Sequence, residues 1–216
     1  MSPTEYDRYY VRHLPHVQPE GATFFVTCRL AGSVPPHVRL ALMQEAECDE
    51  KRIASLPDEE ERRRQAYVMH RVFFGRWDAV LDCADYGPTW LSKPRVAEIV
   101  ADGLHFRERQ QHDLLAFCIM PNHVHVVLTP LPDRDSHYPS LTTIMQSIKG
   151  YTAREGNRLL GRHGQFWQHE SHDHWVRDGD ELQRVCMYVI NNPVKAGMVD
   201  DWSDWPWTYC KHPPLA

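Results

Sequence analysis

A chain of 216 residues with 42% hydrophobic and 25% charged residues has the composition of an ordinary globular domain. No apolar run approaches the roughly 18–20 residues of a membrane span. The N-terminal segment MSPTEYDRYYVRHLPHVQPEG lacks the apolar core of a secretory signal, so we expect a cytoplasmic protein. The net charge of −5 comes from residues 45–64 and 199–216, which leaves room for a local basic face elsewhere.

The distribution of cysteines also favours a cytoplasmic protein. The six cysteines are scattered without a Cys-x-x-Cys pair. Such a distribution is typical of reduced thiols and predicts neither a disulfide framework nor a cysteine-type zinc site.

The predicted elements alternate between strands and helices in one domain spanning residues 1–216. In chain order they are a strand at 21–30, helices at 35–56, 57–82 and 93–111, strands at 113–120 and 123–130, a helix at 140–161 weakened near Gly150 and Gly156, a short edge strand within 164–178, and a helix at 178–193 opened by an Asp178/Glu181 capping box. Pro121 and Asn122 form the turn of the strand pair. This order predicts an α+β fold, an antiparallel sheet with helices on one face.

The motif His123-Val124-His125 lies in the apolar run CIMPNHVHVVLTP, residues 118–130. In a β-strand, residues i and i+2 point to the same face, so both imidazoles are expected to leave one side of the strand together. An arbitrary pair of this kind is as often structural as functional. Within so apolar a run, a metal ion or a phosphate would explain the pair, and a metal site would need at least one more ligand.

Tyr188 and Asn192 lie four residues apart in MYVINNPVKAG, residues 187–197, at the end of the last predicted helix. This spacing places both side chains on one helix face. A tyrosine hydroxyl becomes a nucleophile where a cation or a metal-bound phosphate favours the phenolate. Taken alone, the pair is explained more simply by a half-buried Tyr188 and a helix C-cap at Asn192.

A second histidine pair competes for the metal. The segment HDH, residues 172–174, is accompanied by His163, His169 and Glu170. It lies among polar residues in a predicted edge strand, where solvated histidines are common. Glu170 and Asp173 could act as a base or a further ligand, although such residues are most often plain surface groups.

Tyr151 is an alternative nucleophile, but it lacks an amide or histidine partner placed to hold the same metal. Aromatic and basic residues interleave around it, a pattern suited to single-stranded nucleic acid. The candidate DNA contacts are Lys149, Arg154, Arg158, Trp167 and Lys195. The cluster WSDWPWTY, residues 202–209, could stack on bases too, but more simply it fastens the terminal segment to the core.

Several segments together resemble the REP-associated tyrosine transposases, a branch of the single-tyrosine HUH transposase family. They are PEGATFFVTCRL, AFCIMPNHVHVVLTP, SLTTIMQSIKGYTAREGN, FWQHESHDHWVRDGDELQRVCMYVINNPVKAG and WPWTY, in this order along residues 6 to 209. His-x-His alone is a weak signal. Followed by Tyr-x-x-x-Asn-Pro and NPVKAG, it is a specific one.

The resemblance implies a ferredoxin-like sheet with the histidine pair on a central strand and the tyrosine on a neighbouring helix. It implies that His123, His125 and Asn192 bind a divalent metal and that Tyr188 attacks a DNA phosphodiester, forming a 5′-phosphotyrosine. It implies Mg²⁺ or Mn²⁺, whereas an imidazole pair by itself favours zinc-like ions. The implied substrate is single-stranded DNA beside a short imperfect hairpin.

The chain is longer than compact members of this family, with an extra helical stretch at about 45–66. Its acidity is unsuited to contacting phosphate, so we place it away from DNA, as a lid or a contact with a partner.

Two other functions stay open at this point. One is a metal-independent phosphoesterase that uses the histidines as acid and base, which needs the 172–174 pair to lie across the sheet from His123. The other is a hairpin-binding protein that no longer cuts DNA. Whether the chain is a monomer or a homodimer is open as well.

Overall fold

The computed structural model describes residues 19–169 and 171–213, with the side chain of His70 excepted. The N-terminal segment and Glu170 therefore lie outside the described residues. Within the described part of the chain, no helix combines the length and the apolar character that a bilayer span requires.

Five antiparallel strands form one sheet in the order β4-β1-β3-β2-β5. They are β1 (Thr23–Arg29), β2 (His112–Ile119), β3 (His123–Pro130), β4 (His172–Val176) and β5 (Thr208–Cys210). The first four follow the ferredoxin-like arrangement, and β5 extends the sheet beside β2. The predicted α+β, ferredoxin-like fold class is confirmed, and the histidine pair lies on the middle strand.

Six helices accompany the sheet in the described residues. They are α1 (Pro36–Ala54), α2 (Glu59–Cys83), α3 (Pro94–His105), α4 (Leu141–Leu159), α5 (Gly179–Ile190) and the short α6 (Asn192–Lys195). Side-chain caps fix where three of them begin, because Asp58, Ser140 and Asp178 each accept a hydrogen bond from the backbone N–H three residues on. Short 3-10 turns at Trp90–Ser92 and Trp202–Asp204 complete the chain.

Helices cover both faces of the sheet, which corrects the prediction of helices on one face. On the first face, α3 and α4 pack against side chains such as Val26 and Val126. On the second face, α5 packs against Phe25 and Val127, with Phe74 of α2 beside it. Nearly every residue of β1 and β3 is buried, so both faces of these strands need cover.

Two helices differ from their prediction, one in where it ends and one in its continuity. α3 ends at His105 and not at 111, because the chain turns back into β2 through Arg109, whose φ is 64°. α4 runs unbroken through Gly150 and Gly156, where weakening was predicted. Gly156 is instead a contact point, since a Cβ there would lie 2.7 Å from a ring carbon of Phe166.

The predicted insertion at 45–66 falls in the second half of α1, the connecting turn and the first turns of α2. Arg52 donates a 2.7 Å hydrogen bond to Gln65, and Arg76 pairs with Glu45, so the two helices pack side by side in opposite directions. The acidic side chains of residues 45–61 are exposed or partly exposed.

The tryptophan-rich terminal segment packs against the core with partly buried side chains. The indole of Trp205 donates to the carbonyl of Ile119 at 3.0 Å, and the ring of Tyr209 stacks on Phe117 with centroids 5.5 Å apart. These contacts support the fastening role over base stacking for residues 202–209.

Candidate metal centre and nucleophile

β3 buries both histidines of the His-x-His motif on the second face of the sheet. His123 and His125 have no exposed surface, and their Nε2 atoms lie 3.1 Å apart. His125 is in register with Thr27 on β1 and Cys118 on β2. The period-two geometry is confirmed, and the two Nε2 atoms point to one place.

Asn122 holds the ring of His123. The Nδ2 group of Asn122 donates to the carbonyl of Leu81 at 3.0 Å, so its Oδ1 faces Nδ1 of His123, 2.7 Å away. An amide oxygen only accepts, so Nδ1 of His123 carries the proton and Nε2 presents a lone pair. Nδ1 of His125 is held in turn by the hydroxyl of Thr27 at 2.9 Å. Orienting contacts of this kind are typical of metal-binding histidines.

Two carboxylates from α2 face the histidine pair. Oδ1 of Asp78 lies 3.1 Å from Nε2 of His125, and Oδ1 of Asp82 lies 3.8 Å from Nε2 of His123. The Nζ of Lys195 lies 2.7 Å from Asp82 and 3.5 Å from Asp78. The cluster therefore contains two carboxylates and one lysine, whose side chain is 49% exposed.

Burial and charge set the ionisation of these groups. Burial, and then the neighbouring His125, lower the pKa of His123 to about 3, so its ring is neutral near pH 7. Burial opposes the ionisation of Asp78, but the histidines and Lys195 outweigh it and hold the pKa of Asp78 at about 2. Burial and the charge of Asp78 raise the pKa of Asp82.

The residues present fit a divalent cation. Asp78 is wholly buried, and its contacts with Nε2 of His125 at 3.1 Å and the Nζ of Lys195 at 3.5 Å fall short of good hydrogen-bond geometry. A buried carboxylate that is only partly paired is costly, and a divalent cation would satisfy it more fully. The Asp78, His123 and His125 ligand atoms all lie within 4.8 Å of one another. Imidazole nitrogen and carboxylate oxygen are both common ligands of divalent metals.

Tyr188 of α5 stands beside this cluster. Its ring centroid lies 5.8 Å from that of His125, and edge contacts with Phe25 and Phe74 hold the ring. The Nζ of Lys195 lies 5.4 Å from the centroid of the Tyr188 ring. The structure thus brings the predicted nucleophile to the histidine pair.

Asn192 begins α6 and is wholly buried. No described residue hydrogen-bonds to its Oδ1 or Nδ2. The C-cap of α5 is Asn191, whose side chain donates to the carbonyl of Met187. The simple explanation of Asn192 as the cap is therefore wrong, and its amide is available to another group.

Tyr151 lies on α4, next to Gly103 of α3 and 42% exposed. α3 and α4 cover the first face of the sheet, whereas the histidine pair lies on the second. The sheet therefore separates the alternative nucleophile Tyr151 from His123 and His125.

Two of the candidate DNA contacts, Trp167 and Lys149, are engaged within the protein. Trp167 is 6% exposed and donates to the hydroxyl of Thr152, so it is not placed to stack on bases. The Nζ of Lys149 donates to the carbonyls of residues 168 and 169 and to Ser171, which ties down the loop before β4.

Arg154 and Arg158 are exposed on α4, and both pair with Glu155. Lys195 lies at the metal centre. These three arginine and lysine side chains stay candidates for contacts with phosphate.

The second histidine pair lies on edge strand β4, as predicted. Nε2 of His174 lies 2.9 Å from the carboxylate of Glu181, and His172 stacks on Phe74 with ring centroids 4.9 Å apart. β1 lies between β4 and the strand of His123. Among the described residues, neither His172 nor His174 belongs to a metal-binding group.

Asp78, Asp82 and Asn122 were not among the predicted site residues. The sequence contains a signal for the first two, because they lie four apart in WDAVLDC, beside the apolar residues that α2 turns to the sheet. Asn122 precedes the His-x-His motif directly, and it was read only as a turn residue.

A buried histidine pair with an adjacent carboxylate and a tyrosine on one face of an antiparallel sheet makes a candidate centre for metal-assisted phosphoryl transfer. Comparison with known proteins finds similarity to transposases. Residues 90–192 match the family described as "Transposase IS200 like". The match runs from the turn before α3 to Asn192 and leaves out α1 and α2.

Relatives narrow the family. A protein of Haemophilus influenzae, named as a candidate REP-associated tyrosine transposase, is 30% identical over 107 residues, covering 47% of this chain and 60% of the relative. A REP-associated tyrosine transposase of Escherichia coli is 28% identical over 96 residues, covering 44% and 53%. The chain thus spans little more than half the length of these curated relatives.

A solved structure of a REP-associated tyrosine transposase bound to a REP hairpin aligns with 96% of this chain and 82% of that chain, at 19% identity and a TM-score of 0.49. The family match and the curated relatives confirm the predicted resemblance to the REP-associated tyrosine transposases.

Proposed function

We propose that this chain is a single-strand DNA endonuclease and strand transferase that cleaves beside hairpin repeats. One observation carries the proposal: two buried imidazoles direct their Nε2 atoms to one place, 3.1 Å apart, beside the ring of Tyr188. Cleavage of a phosphodiester through a protein–DNA ester requires a protein nucleophile and a cation site on the same face.

His123, His125 and Asn192 would hold a divalent cation, Mg²⁺ or Mn²⁺ by resemblance to the family. Such a cation, when bound, supplies neutralisation of the charge that develops on the phosphate oxygens. The unpartnered amide of Asn192 and the lone pair of His123 support these assignments.

Tyr188 would attack the phosphorus in line. Its phenolic oxygen forms the new O–P bond, the bond from phosphorus to the 3′-oxygen breaks, and the leaving oxygen takes a proton. The products are a 5′-phosphotyrosine and a free 3′-hydroxyl. Lys195 lies near this tyrosine, with its Nζ 5.4 Å from the ring centroid. Since the ester keeps the energy of the phosphodiester, a second 3′-hydroxyl can reverse the reaction and join strands.

DNA with hairpin repeats is the proposed partner, supported by the names of the curated relatives. A hairpin beside a single strand presents both a duplex shape and a free strand. Arg154 and Arg158 are the exposed residues that we assign to its backbone.

The metal-independent phosphoesterase has less support. It needs a second histidine motif across from His123, but β1 separates the 172–174 pair from β3 and His174 is engaged with Glu181. The non-cutting DNA-binding protein is distinguished by experiment.

The test is a trapping assay. End-labelled single strands from the repeats that flank the gene are mixed with the protein and Mg²⁺ or Mn²⁺, then separated on a denaturing gel. We expect a shifted band that survives denaturation, disappears with EDTA and disappears in Tyr188→Phe. Tyr151→Phe is the matched control and should keep the band.

An adduct that follows Tyr151 would contradict the nucleophile. Tight binding to the hairpin without any adduct would favour the non-cutting protein. An adduct that persists in EDTA would remove the metal from the mechanism.

A further inference from the structure

The candidate metal centre is closed to DNA in this structure. His123, His125, Asn192 and Asp78 have no exposed surface, and Asp82 is 10% exposed at its side chain. Something has to move before a DNA phosphate can reach the histidines.

Asp78 occupies the place beside the histidines that such a phosphate needs. Its Oδ1 lies 3.1 Å from Nε2 of His125, and the ligand atoms of Asp78, His123 and His125 all lie within 4.8 Å of one another. A carboxylate and a phosphate both offer anionic oxygens, which Mg²⁺ and Mn²⁺ prefer. Asp78 therefore competes with DNA for the same position.

α2, which carries Asp78, buries few side chains on the sheet. Among its described side chains only Asp78 and Leu81 are buried, whereas α4 buries six residues. Phe74 supplies the apolar contact with the second face, and polar contacts hold the two ends, where Tyr67 donates to Glu181 at 2.9 Å and Asp82 pairs with Lys195. An element with few buried apolar contacts opens at low cost.

We propose that Asp78 is an internal substitute for the scissile phosphate: with α2 closed, its carboxylate ligates the cation at His123 and His125, and DNA binding lifts α2 and displaces it. The inference rests on the proposed function, because it assigns a role at the same centre. α2 lies outside the matched residues 90–192, so the device is built from the part of the chain that the family match leaves out.

The first test measures Mn²⁺ affinity without DNA. Asp78→Asn keeps the shape of the side chain and removes the charge. We expect the full-length variant to bind Mn²⁺ about tenfold or more weakly than the wild type, by calorimetry or by the EPR signal of free Mn²⁺. Asp85→Asn, an exposed carboxylate just beyond α2, is the control and should bind as the wild type does.

The second measurement is the rate of adduct formation at saturating Mn²⁺. The inference predicts a severalfold faster rate for Asp78→Asn, because the competing anion is gone. Unchanged Mn²⁺ affinity would overturn the assignment of Asp78 as a ligand. Loss of both affinity and adduct would show a permanent ligand and would overturn its displacement.

The third measurement does not depend on the folding of that variant. Hydrogen exchange of wild-type amides 67–83 should become faster when hairpin DNA binds in the presence of Mn²⁺. Slower or unchanged exchange would overturn the movement of α2. If the wild type forms no adduct with any strand, the proposed function fails, while the Mn²⁺ titration still decides whether Asp78 is a ligand.

Discussion

Replacing Asn122 by alanine should weaken both the fold and the metal centre. Asn122 is wholly buried, and its side chain joins the carbonyl of Leu81 at the end of α2 to Nδ1–H of His123. Asn122→Ala leaves the buried Nδ1–H of His123 without a partner, whereas the carbonyl of Leu81 still accepts from the backbone N–H of Ala84. At roughly 1–3 kcal/mol for a buried group left unsatisfied, the free energy of unfolding should fall by about 1–3 kcal/mol.

The same substitution frees the ring of His123. Without the amide oxygen, the proton is no longer confined to Nδ1, and Nε2 presents its lone pair for only part of the time. Loss of such an orienting contact typically costs about 10–100-fold in metal affinity. We therefore expect Mn²⁺ binding to weaken by about that factor.

Urea unfolding in EDTA measures the stability change, and Mn²⁺ titration of the folded protein measures the affinity. Asn191→Ala is the matched control, because its side chain donates only to the carbonyl of Met187. It should cost about 1 kcal/mol and leave Mn²⁺ binding unchanged. A less stable Asn122→Ala protein with wild-type Mn²⁺ affinity would refute the orienting role.

Two further predictions concern the first face of the sheet. Gly156→Ala should lower the free energy of unfolding by about 1–3 kcal/mol, because the new Cβ would lie 2.7 Å from Phe166. Gly150→Ala, in the same helix with no atom within 4 Å, should raise it by up to about 1 kcal/mol, and equal signs in urea unfolding would contradict the packing argument. His112→Gln should make stability less dependent on pH below about 6.5, since burial lowers the pKa of His112 although its Nε2–H donates to Leu104. Because the unfolded chain binds this proton first, the wild type loses stability as the pH falls from about 6.5. Unfolding measured across about pH 5–7.5 tests this, and the same change of unfolding free energy with pH in His112→Gln as in the wild type would contradict it.

Much of the fold could be read from short-range pattern. Alternation along residues 123–130 places His123 and His125 on one face whatever the partner strands are, and the structure keeps that arrangement. The bounds of α2, α4 and α5 follow from their capping residues. The end of α3 was missed because the turn at Arg109 depends on the approach to β2.

Roles that depend on burial could not be read in this way. Trp167 and Lys149 occur in a sequence that resembles an exposed nucleic-acid surface, yet one lies in the core and the other fastens a loop. The sequence favours Tyr188 over Tyr151 as the nucleophile by spacing alone, and the sheet then places the two on opposite sides. Composition and spacing do not distinguish the two faces of a sheet when both are apolar.

The sequence by itself determined the local geometry of this protein: the paired imidazoles of β3 and the order of strands and helices, because backbone periodicity depends only on neighbouring residues. Tertiary structure decided which groups meet them. Asp78 and Asp82 lie some forty residues from the histidines, and their spacing along α2 indicates a shared face but does not say which groups that face meets. Only the packing of α2 against the second face buries Asp78 beside His125, where its carboxylate needs a cation.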